Sequence, residues 1–84
     1  MKCKVGDRIK IIKIITTDPP SKVDKIDMEH EGREATVMDI NPNAYLRSDG
    51  EYDGQYFIQF DNGERFNLLE DDTFVVIKNS SFEF

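Results

Sequence analysis

The stretch Gln55-Tyr56-Phe57-Ile58-Gln59-Phe60-Asp61-Asn62-Gly63 decides the fold class. Tyr56, Ile58 and Phe60 alternate with Phe57 and Gln59, the period of two that sends one face of a strand into a core. Asn62-Gly63 then supplies the residue pair that best tolerates the positive φ of a tight hairpin turn, so residues 64–69 are expected to fold back as the next strand. Glu70-Asp71-Asp72 follows as a short acidic turn, and Thr73-Phe74-Val75-Val76-Ile77 as a last short strand. Toward the N-terminus, residues 44–54 are polar and turn-rich, with Ser48-Asp49-Gly50 and Asp53-Gly54 marking an exposed loop. Gly32 precedes a strand over residues 33–40, which the cluster Asn41-Pro42-Asn43 is expected to end. Earlier still, Val5-Gly6-Asp7-Arg8 leads into Ile9-Lys10-Ile11-Ile12-Lys13-Ile14-Ile15. The Ile11-Ile12 pair breaks the alternation there and predicts a bulge or a strand end buried on both faces. Residues 16–31, with Asp18-Pro19-Pro20-Ser21, show no sustained period and no convincing amphipathic helix. They read as a long loop that Val23, Ile26 and Met28 pin to the core.

Five short strands, a long loop after the first, a hairpin between the third and fourth and a brief turn before the fifth give an all-β order, that of a small SH3-like barrel of antiparallel strands. Its core is expected from Ile9, Ile11, Val37, Tyr56, Ile58, Phe60, Phe66, Leu68, Phe74 and Val76. The 84 residues hold one such domain, residues 1–78 with a tail at 79–84, and no second core. With 38% hydrophobic and 33% charged residues the composition is that of a soluble globular domain, not of a disordered tail or a membrane protein. The longest apolar runs fall far short of the ~20 residues that cross a bilayer, and charges interrupt any signal-peptide core, so the expected location is the cytoplasm. The single Cys3 permits neither an internal disulfide nor a Cys-based zinc site.

The net charge is −6, from 11 Lys and Arg against 17 Asp and Glu, and it is unevenly spread. Residues 1–33 hold eight basic and six acidic side chains, whereas beyond them only Arg47, Arg65 and Lys78 stand against eleven carboxylates. Nucleic-acid binders are usually basic because phosphate neutralisation supplies most of their affinity, so this balance argues against that role. A strip of Lys2, Lys4, Arg8, Lys10 and Lys13 keeps a phosphate-contacting alternative open, although lysines on a strand also guard it against edge pairing. The main binding candidates are acidic: Asp49, Glu51 and Asp53 before the third strand, and Glu70, Asp71 and Asp72 before the fifth, with Tyr45 and Tyr52 beside the first group. Carboxylates fixed on a rigid scaffold imitate a row of phosphates and dock into a basic groove of another protein. The bland alternative is solubility, for which a charge of this size is ordinary.

Other chemistries find less footing. Tyr45, Tyr52 and Phe57 are candidates for an aromatic cage, against the simpler reading that they cover a barrel end. His30 among Asp27, Glu29 and Glu31 lacks any spacing that makes ligands converge and reads as a solvated loop residue, so neither metal nor cofactor is expected. No Ser/His/Asp set and no phosphate-binding glycine loop stands out, which predicts a non-enzyme. Residues 16–31 contain no aromatic side chain and the chain contains no Trp, which leaves no polyproline groove.

Gly6-Asp7-Arg8-Ile9, Asp18-Pro19-Pro20, Gly32 with Ala35-Thr36-Val37, Phe60-Asp61-Asn62-Gly63 and Asp72-Thr73-Phe74-Val75-Val76-Ile77 together resemble a family of small SH3-like β-barrel proteins. That family is a domain of unknown function encoded on bacteriophages, plasmids and other mobile elements. The resemblance spans most of the chain in order and spacing. It departs at Ala35 and Phe60, where the family more often has Gly and Trp, and in a longer stretch over residues 41–54. More distantly, the glycine and hairpin pieces are similar to KOW- and Tudor-like barrels that bind ribosomal RNA, polymerases or modified peptides. The resemblance implies a setting, the cytoplasm of a bacterial host, and little about activity. Taken with the acidic loops, it leads us to expect a non-catalytic module that binds and inhibits or modulates a host or defence protein handling nucleic acids. The alternatives are a KOW-like RNA- or DNA-binding accessory module using the basic strip, and a structural virion or assembly component.

Overall fold

The computed structural model describes residues 3–78, so Lys2 and the tail at 79–84 lie outside the described residues. Its elements are β1 (Arg8–Lys13), α1 (Lys22–Met28), β2 (Glu34–Leu46), β3 (Tyr52–Phe60), β4 (Arg65–Leu69) and β5 (Thr73–Lys78). The strands form one antiparallel sheet in the order β4-β3-β2-β1-β5, and the fold is all-β apart from the short α1. Alternation becomes burial: Ile9, Ile11, Val37, Tyr56, Ile58, Phe60, Leu68 and Phe74 share one apolar cluster, and Phe66 and Val76 pack against it half-buried. Cys3, Ile14 and Ala35, which are not among the expected core residues, join the cluster.

The expected closed barrel is not formed, since β4 and β5 are the two edges of the sheet. Leu68 of β4 and Phe74 of β5 nevertheless belong to the same buried cluster. The chain passes from one edge to the other through the turn that contains Asp72. Its carboxylate accepts from Leu69 N–H at 2.8 Å and Ile15 N–H at 2.9 Å, strapping the end of β4 to the exit of β1.

The β3–β4 hairpin is a three-residue loop, not the two-residue turn that Asn62-Gly63 suggests. Phe60 N–H donates to Glu64 C=O at 2.8 Å and Gly63 N–H to Phe60 C=O at 3.0 Å. Gly63 alone in this loop is left-handed, at φ 91°, while Asn62 Oδ1 accepts from Glu64 N–H at 3.0 Å. A Cβ at Gly63 meets nothing within 4 Å, so the cost of a side chain there is backbone strain and not a clash. Gly63→Val is expected to cost about 2 kcal/mol, because left-handed backbone disfavours L-residues and a β-branched one most. Chemical denaturation checks this: the midpoint should fall, and less so for Gly63→Ala.

Three expectations for the connecting segments are corrected. Asn41-Pro42-Asn43 does not end the second strand, which runs on to Leu46, with β3 beginning at Tyr52. The turn chemistry is spent on a bulge instead. Two extra residues of β2 are absorbed between the Asn41–Gln55 and Tyr45–Asp53 pairs, where Pro42 lacks a donor and Asn43 N–H turns back to Asn41 Oδ1 at 3.2 Å. Residues 16–31 are not all loop, for α1 starts on a capping box in which Ser21 and Asp24 satisfy each other's backbone N–H. Those bonds and Thr17 hold the Asp24 carboxyl down at about 2. α1 buries none of its residues, so Val23, Ile26 and Met28 do not pin it. The anchors lie downstream, where Glu31 accepts from Ile14 N–H at 2.9 Å and Gly32 N–H donates to Ile11 C=O at 2.7 Å.

His30 is not a solvated loop residue. Its half-buried ring stacks on Phe60 at 4.9 Å and tilts against Phe66 at 4.6 Å, and Arg33 Nη1 lies 3.0 Å from its Nδ1. The Arg33 guanidinium covers Phe60 at 3.8 Å and reaches Glu64. The group closes the open end of the core beside the hairpin. Among the described residues no helix is long and apolar enough to cross a membrane.

Candidate functional site

The β2–β3 pair continues past the Asn41–Gln55 rung as a two-stranded arm, in which Gly54 is the one buried residue. Tyr45 pairs with Asp53 and Leu46 with Tyr52, and adjacent rungs of a ladder point to opposite faces. Tyr45 and Tyr52 are therefore on opposite sides of the arm. Phe57 sits four residues, about 13 Å, along β3 from Asp53, so the three aromatics do not converge on a cage. What the arm displays is apolar area: Tyr45 is 48%, Tyr52 53% and Leu46 66% exposed. Leu46 is absent from the sequence-derived candidates, and an isolated Leu in a polar stretch is its only local signal.

One cation organises the tip. Arg47 donates through Nη1 to Asp53 at 3.1 Å and through Nε to Asp49 at 3.3 Å, with Nη2 closing on the second Asp49 oxygen. Arg47 N–H donates to Glu51 C=O at 2.8 Å, Gly50 takes the left-handed φ of 87°, and Asp49 Oδ1 accepts from Glu51 N–H at 3.0 Å. The Arg47 hydrogen bonds, then the Glu51 N–H, hold the Asp49 carboxyl down at about 2, and the two carboxylates push the guanidinium pKa up. The tip is thus pre-shaped, with Glu51 exposed and Asp49 and Asp53 partly compensated.

At the foot of the arm Leu69 pairs with Gln55, which brings the turn after β4 next to the base of the acidic loop. Glu70 accepts from the buried Tyr56 hydroxyl and Asp71 is exposed. Asp72 is 4% exposed, so it is a strap of the fold and not a surface group. Five of the six acidic candidates remain on the surface or partly so, at the tip, flank and foot of one projection.

The basic strip is broken up. Arg8 is bidentate to Asp61 at 2.8 and 3.2 Å and reaches Glu34 at 3.5 Å, contacts that raise its pKa and lower that of Asp61. Lys10 lies opposite Glu34 on β2, and Lys4 and Lys13 are exposed at separate points, so carboxylates interrupt the positive row. Two surface hollows lie elsewhere among the described residues. One, of about 460 Å³, is lined by Gly32, Arg33, Glu34, Phe60, Asp61 and Asn62; the other, of about 290 Å³, lies between Met38, Asp39, Phe57, Arg65 and Asn67. Among the described residues no three His, Cys, Asp or Glu side chains are grouped to hold a metal ion. Comparison with known proteins finds no matching protein family, no matching characterised protein and no matching solved structure.

Proposed function

We propose that the chain is a non-catalytic protein-binding module that docks its β2–β3 arm, with the acidic turn at the arm's foot, into a basic groove of a nucleic-acid-handling protein. The bacterial host and mobile-element setting of the family it resembles makes inhibition or modulation of a host or defence protein the role. The observation supporting this reading is the arm itself. It exposes Tyr45, Leu46 and Tyr52 beyond the core, and it spends Arg47 on holding its own tip in shape. Tyrosines supply large contact area at low ordering cost, and a pre-shaped tip loses little entropy on docking. The carboxylates around them supply steering toward positive charge.

Affinity capture from a bacterial lysate tests this, using wild type and a Tyr45→Ala/Leu46→Ala/Tyr52→Ala variant, each with and without nuclease. The expected result is a captured protein that survives nuclease and is lost with the variant. These side chains are exposed, so the variant should unfold with the wild-type midpoint. Equal capture by both proteins would overturn the arm as the interface, and loss of every partner on nuclease treatment would overturn the reading in favour of the basic strip.

A further inference from the structure

Asn62-Gly63 is the chain's one Asn-Gly pair, and it sits at the exposed tip of the β3–β4 hairpin. That dipeptide is chemically labile. The Gly63 nitrogen has no Cβ beside it to shield it, so once deprotonated it attacks Cγ of Asn62 and closes a five-membered imide. The Cγ–Nδ2 bond breaks, and the amide proton passes through solvent to Nδ2, which leaves as ammonia. One water then opens the imide at either carbonyl. The product is aspartate at position 62 or an isoaspartyl link whose main chain is one carbon longer.

In the folded hairpin every group this reaction needs is engaged. Gly63 N–H, the proton that must leave, donates to Phe60 C=O at 3.0 Å. Asn62 Oδ1 accepts from Glu64 N–H at 3.0 Å and Nδ2 donates to Glu64 Oε1 at 2.6 Å, so residue 64 holds both ends of the amide. The Asn62 contact keeps the Glu64 carboxyl below its ordinary range, so it is ionised at neutral pH and has no proton for departing ammonia. Asp61 and Glu64 flank the pair with negative charge, which opposes loss of a proton from the amide between them. A Cβ at Gly63 meets nothing within 4 Å, so bonding and not burial restrains the site.

We propose that Asn62 is a spontaneous modification site whose rate the hairpin sets: the closed loop holds off deamidation, and local opening of the loop releases it. The reaction then records how long the hairpin has stood open. The product cannot restore the loop. A carboxylate at position 62 has no N–H for Glu64 and sets two like charges where a hydrogen bond stood, and the isoaspartyl link adds an atom to a loop whose bonds fix its length. Glu64 also reaches Arg33, and Asp61 holds Arg8, so the loss is felt by the group that closes this end of the core. Deamidation is thus a one-way step that leaves the hairpin weaker.

Mass spectrometry of tryptic fragments reads the site. Cleavage after Arg47 and Arg65 releases residues 48–65, in which Asn62 is the one asparagine, and fragment sequencing places the mass gain of an amide turned acid. The full chain is held at mildly alkaline pH, native and in guanidinium chloride, and sampled over days. Asn62 is expected to convert at least about tenfold more slowly in the native chain, since the closed loop lowers the reactive fraction by that factor or more. Glu64→Ala removes the acceptor for Nδ2 and keeps the main-chain donor. It should convert several-fold faster than wild type in buffer and at the wild-type rate in denaturant, and Glu64→Gln, which retains an acceptor, should fall between. Asn62→Asp, one of the two products, should melt below wild type. Native conversion as fast as in denaturant, or a native rate that Glu64→Ala leaves unchanged, would overturn control by the loop. Absence of conversion in denaturant would overturn the site itself, and a wild-type melting point for Asn62→Asp would overturn the one-way weakening.

Discussion

Replacing the buried turn residue Asp72 by alanine is expected to destabilise the fold by about 3–5 kcal/mol. Two backbone donors, Leu69 N–H and Ile15 N–H, depend on its two carboxylate oxygens at 2.8 and 2.9 Å. A hydrogen bond to a charged group contributes roughly 1.5–3 kcal/mol, and a buried donor left without a partner bears its desolvation cost in full. The strap also sits where the sheet fails to close, so it holds the end of β4, the start of β5 and the exit of β1 together at one point. Small domains are stable by only about 5–15 kcal/mol, so such a loss removes a large share. In a thermal melt it should appear as roughly 4–8 °C per kcal/mol. Asp72→Asn, which keeps one acceptor, should fall between, and Asp71→Ala next to it should stay within ~0.5 kcal/mol of wild type because Asp71 is exposed. Equal melting of the two alanine variants would show that the strap holds nothing.

The same turn shows what a sequence can and cannot disclose. Glu70, Asp71 and Asp72 are alike in charge and adjacent, yet one meets a buried tyrosine, one meets water and one is folded inward. Residue type does not separate them; Asp72 takes the nearby Leu69 N–H and also that of Ile15, which arrives from the far end of β1. The strands were legible because alternation is a local pattern, and Tyr56, Ile58 and Phe60 fall on the buried face as their spacing requires. α1 was legible in principle through Ser21 and Asp24, but it has no apolar face turned to the core, and that face is the stronger signal. Pro42 reads as a stop for a strand, and only the pairing of β2 with β3 reveals that its missing donor falls in a bulge. His30 was misread because Phe60 and Phe66, which receive its ring, lie some thirty residues away in the chain. The acidic candidates were visible as residue types. That Arg47 ties two of them down, and that Leu46 and both tyrosines stand out beside them, is a property of the arm.

Neutralising the surface carboxylates in one variant, Asp49→Asn, Glu51→Gln, Asp53→Asn, Glu70→Gln and Asp71→Asn, is expected to slow association with the captured partner by ~10–10³-fold at low salt. The fold should survive. Each amide keeps an acceptor oxygen, so Arg47 can still bridge positions 49 and 53, and the Tyr56 hydroxyl still finds one at position 70. The five charges do not count equally. Arg47 offsets one of the two charges at Asp49 and Asp53, so most of the field that a distant basic groove feels comes from Glu51, Glu70 and Asp71. A subset variant of those three should therefore reproduce most of the loss. Exposed charges act at a distance and are screened within ~10 Å at 0.1 M salt and ~3 Å at 1 M, so the gap between wild type and variant should close as salt rises. The arm variant lacking Tyr45, Leu46 and Tyr52 should behave in the opposite way. Short-range apolar contact resists separation, so its defect should lie in the dissociation rate and persist at high salt. Stopped-flow or surface-based kinetics on both variants separate the two contributions. If the neutralised variant associates as fast as wild type at low salt, the carboxylates serve solubility alone and the apolar side chains of the arm must account for recognition unaided.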